Sequence, residues 1–367
     1  MNTNHDDLRG RSDISEFREQ VRAFIADAQA SGVVCNEYGT ILPPGLIGPA
    51  RRWQQHIAAH NFAAIDWSPE HHGQGLSAEH SAVWYTECAL AGVAPYANFQ
   101  GYILTAGALR AHGTTAQRDQ HLPGIIDAST IWCQLFSEPD AGSDLSSLTT
   151  RAEPDSDRWR ITGQKIWTST AQVSDMGILL ARTAPDVRGA RGISFMLIDM
   201  HQPGVDIRPI TQMTGDAEFC EVFLDGAVVE PDGLVGELNT GWMVATSVLA
   251  DERAAVGAAS VRLRRRLNRI ADDTSGLVAR GRALETLMAR TGVNPGLGPL
   301  MKLGITEFET ALSRELLGRH GADAMLQTDD TEAFLYAPGM RVAGGSSEVQ
   351  RDLVGERLLG LPRGPRA

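Results

Sequence analysis

From Asp13 to about Ala30 the apolar residues Ile14, Phe17, Val21, Phe24 and Ile25 recur at helical spacing, while Arg18, Glu19, Gln20 and Arg22 fill the other face. The spacing predicts an amphipathic first helix with Asp13 as its N-cap. Helical stretches follow at Pro44 to His60, Ala78 to Ala91, Gly101 to His112 and Thr115 to Ile126, separated by Gly, Pro and Asn clusters. The texture then changes. Ile131 to Phe136, Trp159 to Ile161, Met176 to Arg182, Ile193 to Met200, Val205 to Ile210 and Phe219 to Leu224 are short β-branched or aromatic runs. Turn signals at Pro154 to Asp157, Pro185 to Gly192 and His201 to Gly204 punctuate them. After Gly241 the helical period returns, in Trp242 to about Ala271, Leu277 to Thr291, Leu300 to Leu317 and Ser347 to Leu359. The pattern predicts an α+β chain, mainly α. An N-terminal helical domain covers 1–130, a middle antiparallel β-barrel or sandwich 131–237, and a C-terminal helical bundle 238–367.

Composition narrows the function. The chain has 367 residues, 43% of them hydrophobic, enough for more than one core. A formal charge of -12, spread along the chain, disfavours nucleic acid as a partner. No apolar run approaches the roughly 18 to 20 residues of a membrane span. The polar start, Met1 to Arg11, has no hydrophobic signal-peptide core, so a soluble, cytoplasmic protein is expected. Cys35, Cys88, Cys133 and Cys220 are far apart with no CxxC pair, which predicts reduced thiols and no zinc site. No GxGxxG follows a strand, which argues against a Rossmann dinucleotide site.

Four segments can carry chemistry. Trp132-Cys133-Gln134-Leu135-Phe136-Ser137-Glu138-Pro139-Asp140-Ala141-Gly142-Ser143-Asp144 runs from a strand into a tight turn that presents hydroxyls and backbone amides; an ordinary Asp/Gly turn reads the same way. Gly163-Gln164-Lys165-Ile166-Trp167-Thr168-Ser169 places a large aromatic beside two hydroxyls, or a core Trp at a hairpin. Ala250-Asp251-Glu252-Arg253 lies in the long helix among Val248, Leu249, Ala254, Ala255 and Val256, which suits a partly buried acid as well as a solvated charge pair. Ala343-Gly344-Gly345-Ser346-Ser347-Glu348-Val349-Gln350-Arg351 is a glycine loop opening a helix, suited to an anion or developing oxyanion and equally to plain Ser capping. A basic cluster, Arg262, Arg264, Arg265, Arg266 and Arg269, spreads around the long helix and reads as solvated surface, with contact to a CoA phosphate or an acidic partner as the other reading.

In order and context these segments resemble the acyl-CoA dehydrogenase flavoproteins, over nearly the whole chain and most specifically in Trp132 to Asp144 followed by Gln164 to Ser169. The resemblance implies an FAD cofactor with Gln134, Leu135 and Ser137 along the isoalloxazine, Trp167 covering one side of the ring and Ser169 near flavin N5. It also implies Ser143 near the pantetheine arm, the Gly344 amide on the thioester carbonyl, and Ser346 and Glu348 near the FAD ribose or adenosine. The implied partners are an acyl-CoA or acyl-carrier-protein thioester, an electron-transfer flavoprotein as acceptor, and further subunits in a dimer or tetramer.

Dehydrogenation needs a base for the α proton, and a carboxylate among apolar neighbours is a stronger one. Many members carry a Glu immediately before the Gly of the C-terminal loop, where this chain has Gly344. A minority, similar to isovaleryl-CoA and long-chain acyl-CoA dehydrogenases, take the base from the long helix as the Glu of a Glu-Arg pair. Glu252 followed by Arg253 matches that form, with Glu252 as base and Arg253 orienting it or the substrate. Two departures remain. The family's Gln-x-x-Gly-Gly-x-Gly segment reads Glu315-Leu316-Leu317-Gly318-Arg319-His320-Gly321, and the region between Asn268 and Pro299 is shorter than its counterpart. They keep in view a non-catalytic partner subunit in a heteromeric assembly, while Gly344 permits, and Glu252 argues against, a flavin monooxygenase of the same fold.

Overall fold

The protein is described from a computed structural model covering residues 3–39, 41–248, 256–271 and 276–362. The chain divides into two compact units, one of residues 1–212 and 216–252 and the other of 213–215 and 253–367.

The first unit opens with helices α1 (Thr3–Ser31), α2 (Ile47–Ala59), α3 (Ala78–Ala91), α4 (Ala106–His112) and α5 (Thr115–Ile126). α1 begins at Thr3, so Asp13 is not its N-cap; it lies inside the helix and faces His80 at 3.4 Å. Arg18 and Arg22 of α1 both pair with the buried Glu87 of α3, at 2.7 and 2.8 Å. One turn before α4 the backbone widens into a π-helix, Gln100–Thr105. At its start the buried Asn98 Oδ1 accepts from the amides of Gly101 and Trp132, both at 2.9 Å, tying this turn to the first strand.

Eight strands follow: β1 (Trp132–Leu135), β2 (Arg151–Asp155), β3 (Arg158–Ser169), β4 (Met176–Arg182), β5 (Ile193–Asp199), β6 (Val205–Ile210), β7 (Phe219–Val229) and β8 (Leu234–Val235). They pair in the order β6-β7-β3-β2-β4-β5-β8, with β1 beside β4. Two features differ from the expected antiparallel barrel. β1 and β2 both pair with β4 in parallel, and the hydrogen-bonded path stays open, ending at β6 and β8.

The apolar runs of β4 and β5 reflect burial on both faces. Ile178, Leu180, Ile193, Phe195 and Leu197 face the helices, meeting Leu104, Leu109, Leu122 and Ile125. Leu179, Ala181, Met196 and Ile198 face inward onto Ile161, Val222 and Leu224. A further helix, α6 (Gly241–Val248), lies so close to β5 that a Cβ at Gly241 would stand 2.3 Å from the backbone of Phe195. Glycine is required at that contact.

The second unit holds α7 (Val256–Asn268), α8 (Leu277–Val293), α9 (Gly298–Arg319), α10 (Asp329–Val342) and α11 (Ser347–Leu353). Leu263, Leu267, Met288, Phe308, Leu312 and Leu316 form its core. No helix among the described residues is long and apolar enough to cross a membrane.

Candidate active site

In the first unit, β1 runs into a tight turn closed by reciprocal backbone bonds between Glu138 and Ala141, at 3.0 and 3.1 Å. Within that turn the Glu138 side chain folds inward and is only 5% exposed. Its Oε2 accepts from the Thr149 amide (2.7 Å) and hydroxyl (2.8 Å), and its Oε1 from the Thr150 amide at 2.8 Å. The fourth bond to the carboxylate, also 2.8 Å and to Oε1, comes from the Nζ of Lys165, a fully buried residue of β3. The same ammonium donates to the Phe136 carbonyl at 3.0 Å, and the Ile166 amide to the Ser137 carbonyl at 3.0 Å. The two segments that carry the sequence resemblance are therefore joined directly to each other.

Burial disfavours both charges of this pair, with different outcomes. For Lys165 burial outweighs the neighbouring carboxylate and lowers the ammonium to about 8. For Glu138 burial alone would raise the carboxyl, but the Lys165 charge and the hydrogen bonds overrule it and hold it at about 2, against an ordinary 4.5. On acidification the unfolded chain takes up this proton before the folded one does. The carboxylate's contribution, roughly 3 kcal/mol, is thus complete above about pH 4.5 and lost as pH falls toward 2. Glu138→Gln is expected to flatten that stretch of an acid-unfolding curve; an unchanged curve would contradict the assignment.

Two residues beyond Lys165, the β3–β7 register shifts between Lys165 and Thr168. Trp167 sits in this bulge with φ of 59°, the left-handed region that costs a non-glycine residue about 1–3 kcal/mol. The bulge turns its indole outward, 56% exposed, with the Phe219 ring in an edge-on arrangement beside it at 6.1 Å. Trp167→Gly is expected to raise the unfolding free energy of the flavin-free protein by about 1 kcal/mol, read as a higher denaturant midpoint.

The remaining positions singled out in this unit divide by burial. Gln134, Ser137 and Ser169 are half-buried and Ser143 is exposed. None of these four side chains hydrogen-bonds another described residue. Leu135 is fully buried on the inner face of the sheet, so its side chain is a core element and only its backbone is left for a ligand.

In the second unit, Gly344 and Gly345 have φ of 64° and 95°. A Cβ at Gly345 would stand 2.6 Å from the Gln350 amide nitrogen, whereas one at Gly344 would meet nothing within 4 Å. Backbone angle, not crowding, favours glycine at 344. The loop is held by Lys302, whose Nζ donates to the carbonyls of Gly345 (2.5 Å) and Arg341 (3.2 Å), and by Gln350 on the Gly344 carbonyl at 3.0 Å. Ser346 caps α11 through the Val349 amide at 3.3 Å. Glu348 is exposed in the first turn, its carboxyl lowered by its own backbone amide and by Ser346.

In the segment 315–321, Glu315 pairs with Arg319 at 3.0 Å, and His320 meets the buried Asp330 at 2.8 Å. Asp330 also pairs with Arg269 in a two-bond fork. Arg264 and Arg266 pair with Glu285 and Glu309, so these two arginines of the cluster, with Arg269, tie elements of the unit together. Glu252 and Arg253 lie outside the described residues.

Comparison with known proteins gives the family. Residues 133–227 match the acyl-CoA dehydrogenase middle domain and residues 12–129 the acyl-CoA dehydrogenase N-terminal domain. The acyl-CoA dehydrogenase IpdE1 of Mycobacterium tuberculosis is 37% identical over 386 residues, covering 96% of this chain and 98% of that protein. The chain belongs to the acyl-CoA dehydrogenase family. Two solved structures share its fold closely. The Tcur3481-Tcur3483 steroid ACAD has a TM-score of 0.80 at 26% identity, covering 96% of this chain and 98% of that one. The ChsE4-ChsE5 complex from Mycobacterium tuberculosis has a TM-score of 0.77 at 27% identity, with the same coverage.

As an acyl-CoA dehydrogenase the protein is an oxidoreductase, and its family implies FAD. The first unit fits such a group. An outward indole stands on the strand that also carries Ser169 and is bonded to the Ser137 carbonyl. Among the described residues the Thr168 hydroxyl beside it is buried without a partner, and Gln134, Ser137 and Ser169 have hydrogen-bonding capacity to spare. Sequence reasoning missed Glu138 and Lys165 as site-building residues. The available signal was that each lies inside one of the two quoted motifs, and that Lys165 falls on the inward face of β3 with Ile161.

Proposed function

We propose that this enzyme introduces an α,β double bond into an acyl thioester, taking acyl-CoA to trans-2-enoyl-CoA. The observation that carries the proposal is Trp167, held outward at a strained backbone position and tied through its own strand to Ser137. An exposed indole at an energetic cost is explained by a flat ligand laid against it. Gln134, Ser137, Trp167, Ser169 and the Leu135 backbone would hold the flavin ring, and Ser346 and Glu348 its ribose or adenosine. When bound, FAD supplies the acceptor for the hydride that leaves the β carbon. Glu252 abstracts the α proton, Arg253 orients it or the substrate, and Ser143 lies along the pantetheine arm. The Gly344 amide, with no side chain required, polarises the thioester carbonyl.

With Gly344 carrying no carboxylate and Glu252 supplying the base, the acyl pocket would keep room for a bulky group. The name of the similar steroid ACAD supports an alicyclic, steroid-derived acyl chain. CoA is the carrier we favour, an acyl carrier protein the alternative, and an electron-transfer flavoprotein the acceptor. The experiment is mass analysis of product thioesters from such substrates. Loss of two hydrogens is expected, whereas uptake of one oxygen atom from labelled O₂ would establish the monooxygenase reading instead.

A second reading concerns assembly. The 315–321 segment, where the family's glycine-rich pattern is altered, is committed to ion pairs within its own unit. The similar ChsE4-ChsE5 structure is a complex of two named chains. Both support a heteromer in which this chain supplies one part of each cofactor site, in place of a homodimer or homotetramer. Native mass and flavin content, alone and with a co-expressed family partner, decide between them.

A further inference from the structure

The buried pair Glu138–Lys165 has no assigned part in the reaction, yet it occupies the junction of the two segments that would face the cofactor. Ser137 lies between Phe136 and Glu138, and one ammonium holds both of these neighbours, at 3.0 and 2.8 Å. Trp167 lies two residues from that ammonium, beyond the Ile166 amide bonded to the Ser137 carbonyl. Stability alone does not call for such a pair, because well-packed apolar side chains of similar volume commonly replace a buried ion pair without loss. An ion pair does provide what apolar packing lacks, namely directional bonds of fixed length from one group to several backbone positions.

Glu138 is anchored on its other side by Thr149 and Thr150, just before β2, which pairs with β3. The result is a closed frame: turn, Glu138, Lys165, β3, β2, and back through Thr149 and Thr150. Within the frame the distance from Ser137 to the bulge carrying Trp167 has little freedom to vary.

We propose that Glu138 and Lys165 are positioning residues that fix Ser137 and the left-handed Trp167 in one arrangement, presetting the face that receives the flavin ring. The inference rests on the functional reading above only for the identity of the ligand; the arrangement itself is a property of this chain. Neither residue touches the reacting atoms, and each acts through the backbone it holds.

The test compares the wild-type protein with Glu138→Gln/Lys165→Met, which removes both charges together and leaves no buried ion alone. Protein labelled with 5-fluorotryptophan gives a ¹⁹F resonance for Trp167, identified by its disappearance in Trp167→Phe. The wild type is expected to show one sharp Trp167 line. The double variant is expected to retain its circular dichroism and cooperative melting while that line broadens or splits. FAD affinity should then weaken by roughly two- to tenfold, the scale of having to order a loosened side chain on binding. Turnover should fall by roughly a hundredfold with a smaller change in KM, as for a misplacement of about 1 Å. A folded double variant with an unchanged Trp167 line and unchanged FAD affinity would overturn the proposal. If the double variant does not fold, Glu138→Gln alone, nearly isosteric, decides by the same two readouts. If the wild type takes up no flavin with or without a partner chain, the functional reading fails, and the Trp167 line still decides whether the pair positions the bulge.

Discussion

Replacing Glu252 with Gln is expected to slow reduction of the bound flavin by an acyl thioester roughly 10²–10⁴-fold, with flavin content unchanged. The α proton of a thioester is a weak acid, and the amide keeps the size of the carboxylate while losing its ability to take up that proton. In the sequence, the apolar residues Val248, Leu249, Ala254, Ala255 and Val256 flank the Asp251-Glu252-Arg253 run, which is the pattern that motivates the assignment. Gly344 cannot share the work, having no side chain. Anaerobic stopped-flow absorbance of the oxidised flavin band measures the effect. A rate within about tenfold of wild type would remove Glu252 from the role.

The largest stability effect is expected at Lys165. Lys165→Met keeps the length and apolar stem but leaves the Glu138 carboxylate buried with no counter-charge, which costs about 3–5 kcal/mol. Thr149 and Thr150 still donate three hydrogen bonds to it, so the loss is expected at the lower end of that range. Urea unfolding would show a lower midpoint at neutral pH. Adding Glu138→Gln should recover much of the loss, because the unpaired charge is then gone. A Lys165→Met midpoint equal to wild type would contradict the buried-pair assignment.

Strong periodicity made much of the fold legible. The helices Ala78–Ala91 and Thr115–Ile126, and the strands Met176–Arg182 and Val205–Ile210, occur where the pattern puts them. What escaped had weak or conflicting local signals. β2 buries only Ala152 among its five residues, and β8 is two residues long. The helix Asp329–Val342 opens on charged residues and contains Pro338, which reads as a breaker. The open, partly parallel sheet depends on β1 lying beside β4, a pairing across more than forty residues that no local pattern encodes.

The candidate site was legible as segments and not as a mechanism of assembly. Trp167 and Ser137 are named by the motifs, but Glu138 and Lys165 are charged residues whose default position is the surface. Only the tertiary structure reveals that they bury each other and thereby join the two motifs. Leu135 shows the converse. It lies in the same motif beside the half-buried Gln134, but strand alternation sends its side chain into the sheet core.

The most direct test of the central claim is the visible spectrum of the purified protein, alone or with a co-expressed family member, during anaerobic titration with acyl-CoAs that include alicyclic, steroid-derived chains. Dehydrogenation predicts that the oxidised flavin band bleaches with at least one thioester and that the matching enoyl-CoA appears. A flavin that stays fully oxidised with every thioester, and is reduced only by another donor, would contradict it.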